Sequence, residues 1–152
     1  MNKQIRSRIS NVSKSLSILL GFSLLTISSA TAADLIVNVN GVRSSDGTIR
    51  IALHDGTEGF PKARKPVAVQ ASNAAPGALV FVFPNLQPGI YAITLFHDEN
   101  GDEKLDSNLF GIPTEGYGFS NNATGTMGPP SFADAAIEVG GSDVTNTVSL
   151  QY

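Results

Sequence analysis

Residues 77–98 read GALVFVFPNLQPGIYAITLFHD, and this stretch decides the fold. Apolar side chains alternate with their neighbours in both halves of the stretch, with Leu79, Phe81 and Phe83 in the first half and Tyr91, Ile93 and Leu95 in the second. A period of two is typical of β-strands, because successive side chains point to opposite faces of a sheet. The tripeptide Gln87-Pro88-Gly89 interrupts the pattern, as a turn does. The stretch therefore predicts two consecutive strands.

Five further segments show the same alternation. They lie at residues 35–39, 49–53, 67–71, 137–139 and 144–150. Ser45-Asp46-Gly47 stands between the first two, and this turn composition predicts a hairpin. No long apolar stripe of helical period follows residue 34. Seven short strands in about 120 residues predict an all-β fold, an antiparallel β-sandwich forming a single domain over residues 33–152.

The N-terminal segment has the organisation of a secretory signal. Residues 16–27, LSILLGFSLLTI, are uncharged, four basic residues precede them, and the small residues of Ala30-Thr31-Ala32 follow. This order predicts a signal peptide over residues 1–32, cleaved before Ala33 or one residue later. The alternative is an uncleaved anchor, but a membrane span needs about 20 apolar residues. We therefore expect export to the periplasm or the medium, with no membrane insertion after cleavage.

The exported part is acidic. From Asp34 onward there are six basic and thirteen acidic residues, a net charge of −7. Nucleic acid is a poor partner for such a chain, because phosphate binding needs a basic surface. The chain has no Cys, which excludes disulfides, thiolate metal sites and cysteine nucleophiles.

A long connection follows the fifth predicted strand. Residues 98–131 far exceed the usual connection of about 4–6 residues. The segment contains Phe110, Tyr117 and Phe119, and disordered tracts are poor in aromatic residues. We expect a long ordered loop between the fifth and sixth predicted strands, and long ordered loops commonly carry function.

The start of this loop, residues 98–106 (DENGDEKLD), has the oxygen spacing of a calcium loop. Asp98, Asn100, Asp102 and Asp106 occupy relative positions 1, 3, 5 and 9, and the carbonyl of Lys104 occupies position 7. Calcium takes six to eight oxygen ligands, and a divalent ion relieves the repulsion between neighbouring carboxylates. The spacing predicts a Ca²⁺ site formed by these five residues.

Two positions depart from the twelve-residue calcium loop. Glu103 stands at position 6, where the loop uses Gly, and Leu109 stands at position 12, where a bidentate Glu is expected. Asn108 or Glu115 is the candidate for the missing ligand. The alternative interpretation is a solvated acidic loop of Asx turns that binds no ion.

The sequence also resembles a known family. The segment FPNLQPGIY, residues 83–91, contains the L-x-P-G-x-Y motif that begins a strand in prealbumin-like sandwich modules, including collagen-adhesin B-type repeats. With residues 97–135 it is similar to the bacterial family catalogued as domain of unknown function 2141. The resemblance implies a small exported β-sandwich without an established activity. Acidic loops of adhesin B-type repeats bind calcium, which by resemblance points to Asp98, Asn100, Asp102 and Asp106.

Two functional classes follow from the loop. An extracytoplasmic hydrolase is one, assembled from His97, Asp98, Glu115, Tyr117 and Ser120, with His97 as general base and Glu115 and an Asp as a carboxylate pair. Neither a G-x-S-x-G elbow nor an H-E-x-x-H motif occurs. The other class, which we favour, is a non-enzymatic protein that binds Ca²⁺ and presents a loop surface to a protein or glycan. Tyr117 and Phe119 then either form part of that surface or cap the core.

Overall fold

The computed structural model describes residues 31–56, 58–62 and 65–152. The strands of these residues, in chain order, are β1 Ala33–Val42, β2 Thr48–His54, β3 Ala68–Asn73, β4 Gly77–Leu86, β5 Gly89–Asp98, β6 Tyr117–Phe119, β7 Ile137–Val139 and β8 Val144–Ser149. One 3-10 turn, Ser120–Asn122, follows β6. The described part is thus all-β with almost no helix. The predicted signal peptide lies outside the described residues, except for its last two positions.

The strands form two sheets. One has the order β4-β1-β8, and the other has the order β3-β2-β5-β6, with β7 also paired to β5. All pairings are antiparallel except that of β1 with β8, which is parallel. The prediction of an all-β fold is confirmed, and the sheets are antiparallel except at this one pairing.

The core lies between the sheets. Alternate side chains of β1 and β4, including Leu35 and Phe83, meet alternate side chains of β2 and β5, including Ile51 and Ile93. These four side chains are at most 2 % exposed. Burying such side chains stabilises a fold by about 1.5–3 kcal/mol each, which explains why the period-two pattern identified the strands. The described residues fit a β-sandwich.

The predicted β1–β2 hairpin is wrong. β1 pairs with β4 and β8, whereas β2 pairs with β3 and β5, so residues 43–47 cross from one sheet to the other. The turn itself exists, with Gly47 at φ +65°. Turn composition is local, and it does not specify whether the flanking strands share a sheet.

The long connection is not a single loop. The three-residue strand β6 interrupts it and pairs with Thr94–Phe96 of β5. Its other edge meets Gln151, since Tyr117 and Gln151 exchange two backbone hydrogen bonds of 2.8 and 2.9 Å. Within the described ranges, no helix is long and apolar enough to cross a membrane.

Candidate functional site

The acidic loop begins where β5 ends. Asp98, the last residue of β5, is only 1 % exposed, and its carboxylate accepts hydrogen bonds from the backbone N–H groups of Gly101 (2.9 Å) and Glu103 (3.1 Å). The Arg50 guanidinium of β2 lies 3.8 Å from the same carboxylate. A buried carboxylate needs such partners, because an unpaired buried charge is strongly unfavourable.

The next predicted ligands continue the same winding. Asn100 Oδ1 accepts from the Asp102 N–H at 3.0 Å, and Asp102 Oδ1 accepts from the Lys104 N–H at 2.9 Å. The Asn100 amide also donates to Asp106 Oδ2 at 3.0 Å, which joins relative positions 3 and 9 of the loop. Successive Asx turns therefore coil residues 98–106, and the backbone of Lys104 takes part through its N–H.

The backbone at Glu103 is left-handed, with φ +67°. This is position 6, where the calcium loop uses Gly for its sharp turn. A non-glycine residue in this region costs on the order of 1–3 kcal/mol and persists only when its surroundings impose it. The N–H of Glu103 bonds to Asp98, and its carboxylate lies 3.2 Å from Arg50. The loop thus makes the sharp turn although Glu replaces Gly.

Of the two candidates for the missing ligand, Glu115 is hydrogen-bonded to the loop, whereas the Asn108 side chain is hydrogen-bonded to its own turn. Glu115 is buried, and its two carboxylate oxygens accept from the N–H groups of Glu99 (2.8 Å) and Asp106 (3.0 Å). Asn108 is exposed and caps its own turn by accepting from Phe110 and Ile112. Glu115 therefore closes the acidic loop between its two ends.

Among the described residues, no three His, Cys, Asp or Glu side chains already stand in an arrangement that holds a metal ion. The loop has two further oxygen donors that are not of these four side-chain types, the amide of Asn100 and the backbone carbonyl of Lys104. Two arginines from outside the loop form ion pairs with it: Arg50 lies beside Asp98 and Glu103, and Arg43 forms a two-point ion pair with Glu99. The hydrogen bond from Arg43 holds the pKa of the Glu99 carboxyl below its usual range, and the pKa of Arg43 is raised in turn.

His97 has both ring nitrogens occupied. It is 0 % exposed, with Nε2 2.7 Å from the Asp46 carbonyl and Nδ1 2.8 Å from the Tyr152 hydroxyl. A carbonyl only accepts, so Nε2 carries the proton, and in the neutral ring Nδ1 accepts from Tyr152. Both ring nitrogens of His97 are engaged in hydrogen bonds within the fold. Neither ring nitrogen is therefore free to act as a general base.

Tyr152 is a site neighbour that the sequence analysis missed. Its hydroxyl accepts from the Arg43 N–H at 3.2 Å, and the Arg43 guanidinium carbon lies 4.1 Å from the centre of its ring. Tyr152, the last residue of the sequence, thus contacts both His97 and the Arg43–Glu99 ion pair. No local motif marks a Tyr for this role, because its partners are 55 and 109 residues away.

Ser120 and Glu115, the other hydrolase candidates, also have structural partners. Ser120 is 0 % exposed, and its Oγ accepts from the Ile93 N–H at 2.9 Å and donates to the Ala135 carbonyl. The Glu115 carboxylate accepts hydrogen bonds from two backbone N–H groups. Neither side chain points a free polar atom towards solvent, so the geometry gives the hydrolase alternative no support.

Tyr117 and Phe119 face away from the core. Gly118 between them faces inward, towards the side chains of Val148 and Leu95, and both aromatic rings are half-buried on the outer face of β6. The two ring centres are 6.2 Å apart in a T-shaped arrangement. The core-capping interpretation is therefore wrong, because alternation along a three-residue strand puts the glycine inward and both rings outward.

These rings belong to a cleft outside the five-stranded sheet. The cleft floor includes Phe96, Tyr117 and Phe119, and its rim includes Phe110, Ile112 and Met127. Phe110 is 88 % exposed and Met127 is 99 % exposed. Large exposed apolar patches on a soluble chain are typical of interaction sites. We call these six residues the apolar cleft.

A second depression lies by the end of β2. His54, Asp55, Glu58, Lys62 and Lys65 line it. His54 is 4 % exposed, with Nε2 3.0 Å from Thr94 Oγ1 and its ring edge-on to Phe60. Burial lowers the pKa of His54, against a weaker opposing effect of Asp55.

The fold and these contacts define a class: an all-β protein of two packed sheets, with an acidic Asx-turn loop at the end of β5 and an apolar cleft beside it. The chain belongs to the bacterial family described as "Uncharacterized protein conserved in bacteria (DUF2141)", whose sequence model matches residues 37–147. The resemblance seen in the sequence is thereby confirmed. No curated protein and no solved structure matches the chain.

Proposed function

We propose that this protein is an exported, non-enzymatic β-sandwich of the prealbumin-like type. In this proposal it binds Ca²⁺ in the loop of residues 98–106 and presents the apolar cleft to a protein or glycan partner. Two mostly antiparallel sheets with a common core support the sandwich, and the L-x-P-G-x-Y motif supports the prealbumin-like type. The basic, apolar and small-residue order of the first 32 residues supports export.

The observation that carries the calcium proposal is the left-handed backbone at Glu103. Non-glycine residues seldom take this conformation, yet it stands at the one position where a calcium loop requires it. The turns at Asp98, Asn100 and Asp102 wind the chain on both sides of it. The loop therefore makes a sharp turn at the same relative position as a calcium loop, which supports the calcium proposal.

The donor set suits a hard cation. The carboxylates of Asp98, Asp102 and Asp106, the amide oxygen of Asn100 and the carbonyl of Lys104 offer only oxygen atoms, which Ca²⁺ prefers. Each carboxylate oxygen has two lone pairs, so an oxygen that accepts an amide proton retains one for an ion. Binding would require the three carboxylates to move closer together, and the ion would neutralise the repulsion that this creates.

The calcium proposal is tested by a thermal melt of the full chain, expressed with its own N-terminal segment. The intact mass of the same purified protein shows whether the predicted signal peptide has been cleaved. We expect Ca²⁺ at about 100 times its Kd to stabilise the fold by about 2.7 kcal/mol, which raises Tm by roughly 10 °C at this chain length. Magnesium at the same concentration is the ion control, since Mg²⁺ retains its water shell and prefers octahedral sites.

The matched variants remove equal charge. Asp102→Asn with Asp106→Asn keeps the side-chain size but replaces two of the proposed carboxylate ligands with neutral amides, which bind Ca²⁺ more weakly, and we expect it to abolish the rise. Asp55→Asn with Glu138→Gln removes two exposed carboxylates elsewhere and should keep the rise. A wild-type chain whose Tm is unchanged by Ca²⁺, or a rise that survives in the loop variant, refutes the calcium proposal.

The apolar cleft supports the partner proposal. Its aromatic floor offers stacking surface for sugar rings or apolar side chains, and no residue of the sequence between Ser107 and Thr114 is charged. A glycan and peptide array distinguishes the two partner classes, with Phe110→Ser as the variant that removes an exposed rim residue without touching the core.

A further inference from the structure

The lining of the apolar cleft carries very little charge. Lys62 is the one charged residue among the described residues that line it, and the others are apolar or neutral. The domain as a whole is acidic, with −7 from Asp34 onward, but no carboxylate of the neighbouring acidic loop is part of this lining. Exposed charges act over only about 8 Å at physiological salt, so the charge lining the cleft matters more to a ligand within it than the net charge does.

The packing of Phe60 places Lys62 at the cleft. The centre of the Phe60 ring is 6.2 Å from that of Phe119, which belongs to the cleft floor. This contact attaches the segment that follows β2 to the outer face of the sheet, and Lys62 comes two residues after Phe60. Lys62 is exposed and forms no ion pair with any described residue, including Asp55 and Glu58, which line the second depression with it. Its charge is therefore available to a ligand.

A second hydrogen-bond donor lies in the cleft lining. Thr94 of β5 lines the cleft, and its Oγ1 is 3.0 Å from Nε2 of the buried His54. Nδ1 of His54 has no hydrogen-bond partner among the described residues. Because a buried N–H without an acceptor is rarer than a buried acceptor without a donor, the neutral ring carries its proton on Nε2 and donates it to Thr94. The Thr94 hydroxyl thus accepts from His54, and its own hydrogen remains for an oxygen atom of a ligand.

The rim of the cleft suits apolar side chains better than sugar rings. A sugar would place hydroxyl groups against the apolar side chains of Phe110, Ile112 and Met127, and burying a hydroxyl group without a partner is unfavourable. Apolar side chains of a protein incur no such cost, and methionine adapts to side chains of many shapes. Both edges of β6 are already paired, with β5 and with Gln151, so a protein segment would be recognised by its side chains and not as an added strand.

We propose that the partner of the apolar cleft is a protein segment in which apolar side chains accompany a single acidic side chain. This partner class rests on the proposed function, in which the cleft is a binding surface. The apolar side chains pack on the aromatic floor, the carboxylate pairs with Lys62, and an oxygen atom of the segment accepts from the Thr94 hydroxyl. One cation balances one carboxylate, whereas a run of acidic residues would be repelled by the remaining charge of the domain.

Three blocked peptides added to the full chain test this partner class. The peptide GSLWLELSG carries one Glu, and the two matched peptides carry Gln or Lys at that position. The chain has no Trp, so tryptophan fluorescence reports the peptide alone. We expect the Glu peptide to bind about threefold tighter than the Gln peptide and the Lys peptide to bind most weakly, since an exposed ion pair gives a modest preference. This preference should shrink as the salt concentration rises.

Substitutions in the protein assign the preference to Lys62. Lys62→Glu should reverse the order, so that the Lys peptide binds tighter than the Glu peptide. Lys65→Glu makes the same charge change on a residue that lines the second depression and not the cleft, and it should keep the wild-type order. Thr94→Val removes the hydroxyl at nearly constant shape and should weaken binding of the Glu peptide, whereas Thr94→Ser should not. Circular dichroism and thermal melts show whether each variant retains the fold.

Equal affinities for the three peptides, or an order that Lys62→Glu leaves unchanged, overturn the proposed partner class. Binding of glycans but of no peptide also overturns it, while the cleft remains a binding surface. Phe110→Ser separates these results from a failure of the proposed function. If peptide binding survives this substitution, the peptide lies elsewhere on the molecule, and if neither peptides nor glycans bind, the cleft is not a partner surface; either result overturns both proposals for the cleft.

Discussion

Gly47 is the residue whose replacement tests the link between the two sheets most directly. It lies in the crossing of residues 43–47 with φ +65°, and a methyl group built on it would lie 1.8 Å from the Asp98 carbonyl oxygen. That oxygen belongs to the backbone at the end of β5, where the acidic loop starts. It cannot rotate away as a flexible side chain would, so the strand or the turn must shift.

The cost of Gly47→Ala has two components and one offset. The left-handed backbone costs an alanine about 1–2 kcal/mol. Overpacking against a fixed neighbour typically costs about 1–3 kcal/mol. The lower entropy of the unfolded alanine chain returns about 0.4–1 kcal/mol. The net expectation is a loss of about 2–4 kcal/mol, a large part of the roughly 5–15 kcal/mol of a typical domain.

Two other glycines separate the components. Gly111 has φ +76° with nothing within 4 Å of an added methyl group, so Gly111→Ala carries the conformational cost alone, about 1 kcal/mol. Gly140 has open space and no positive φ, so Gly140→Ala should leave stability unchanged or raise it slightly. The three variants share the same chemical change and differ only in backbone angle and surroundings.

Urea unfolding monitored by circular dichroism measures all three. For a slope of about 1.5–2 kcal/mol per molar urea, Gly47→Ala should lower the midpoint by about 1–2 M. A Gly47→Ala midpoint equal to that of Gly111→Ala would show that the close approach to Asp98 contributes nothing. The backbone at Gly47 or at the end of β5 would then move to admit the methyl group without a measurable cost.

Two further predictions concern buried polar groups. Ser120→Ala leaves the buried Ile93 N–H and Ala135 carbonyl without their partner and should cost about 2–3 kcal/mol in urea unfolding, whereas the exposed Ser142→Ala should cost less than about 0.5 kcal/mol. Burial lowers the pKa of His54 below its ordinary 6.5, so the unfolded chain binds more protons than the folded one just below that pH. Stability should therefore fall as pH decreases from about 6.5 towards 5, and His54→Gln should reduce this slope in urea midpoints measured across the range; an equal slope in the variant contradicts the assignment.

The strands were predictable because burial between two sheets imposes a period of two. All seven predicted strands coincide with observed ones, and the one that was missed, β6, has three residues with a glycine at its centre. Nothing within Tyr117–Phe119 specifies a strand. Its conformation follows from pairing with β5 on one side and Gln151 on the other, which are contacts between distant parts of the chain.

The pairing of the strands was not predictable from local patterns. The turn at Gly47 suggested a hairpin, yet the two strands it joins belong to different sheets. The parallel pairing of β1 with β8 joins residues about 109 positions apart, Leu35 with Val144. Alternation defines which face of a strand is buried but carries no information on which strand lies beside it.

In the acidic loop, too, the local turns were predictable from the sequence and the long-range contacts were not. The turns made by Asp98, Asn100 and Asp102 reach only two to five residues along the chain, so the spacing alone indicated them. The groups that hold the loop from outside are distant in sequence. Arg50, Glu115 and Tyr152 come from β2, the segment before β6 and the last position of the chain, and no motif relates them to residues 98–106.

These outside contacts determine how the loop should respond to an ion. Asp98 is buried at the start of the loop, and Glu115 accepts hydrogen bonds from both Glu99 and Asp106. His97, near the end of β5, is hydrogen-bonded to the Asp46 carbonyl. A loop already held in this way loses little conformational freedom on binding, so little of the binding free energy is consumed in ordering it. Calcium should therefore raise the melting temperature without changing the far-ultraviolet circular dichroism. A calcium-induced gain of secondary structure would instead mean that the ion folds the loop, which the network around Glu115 makes unnecessary.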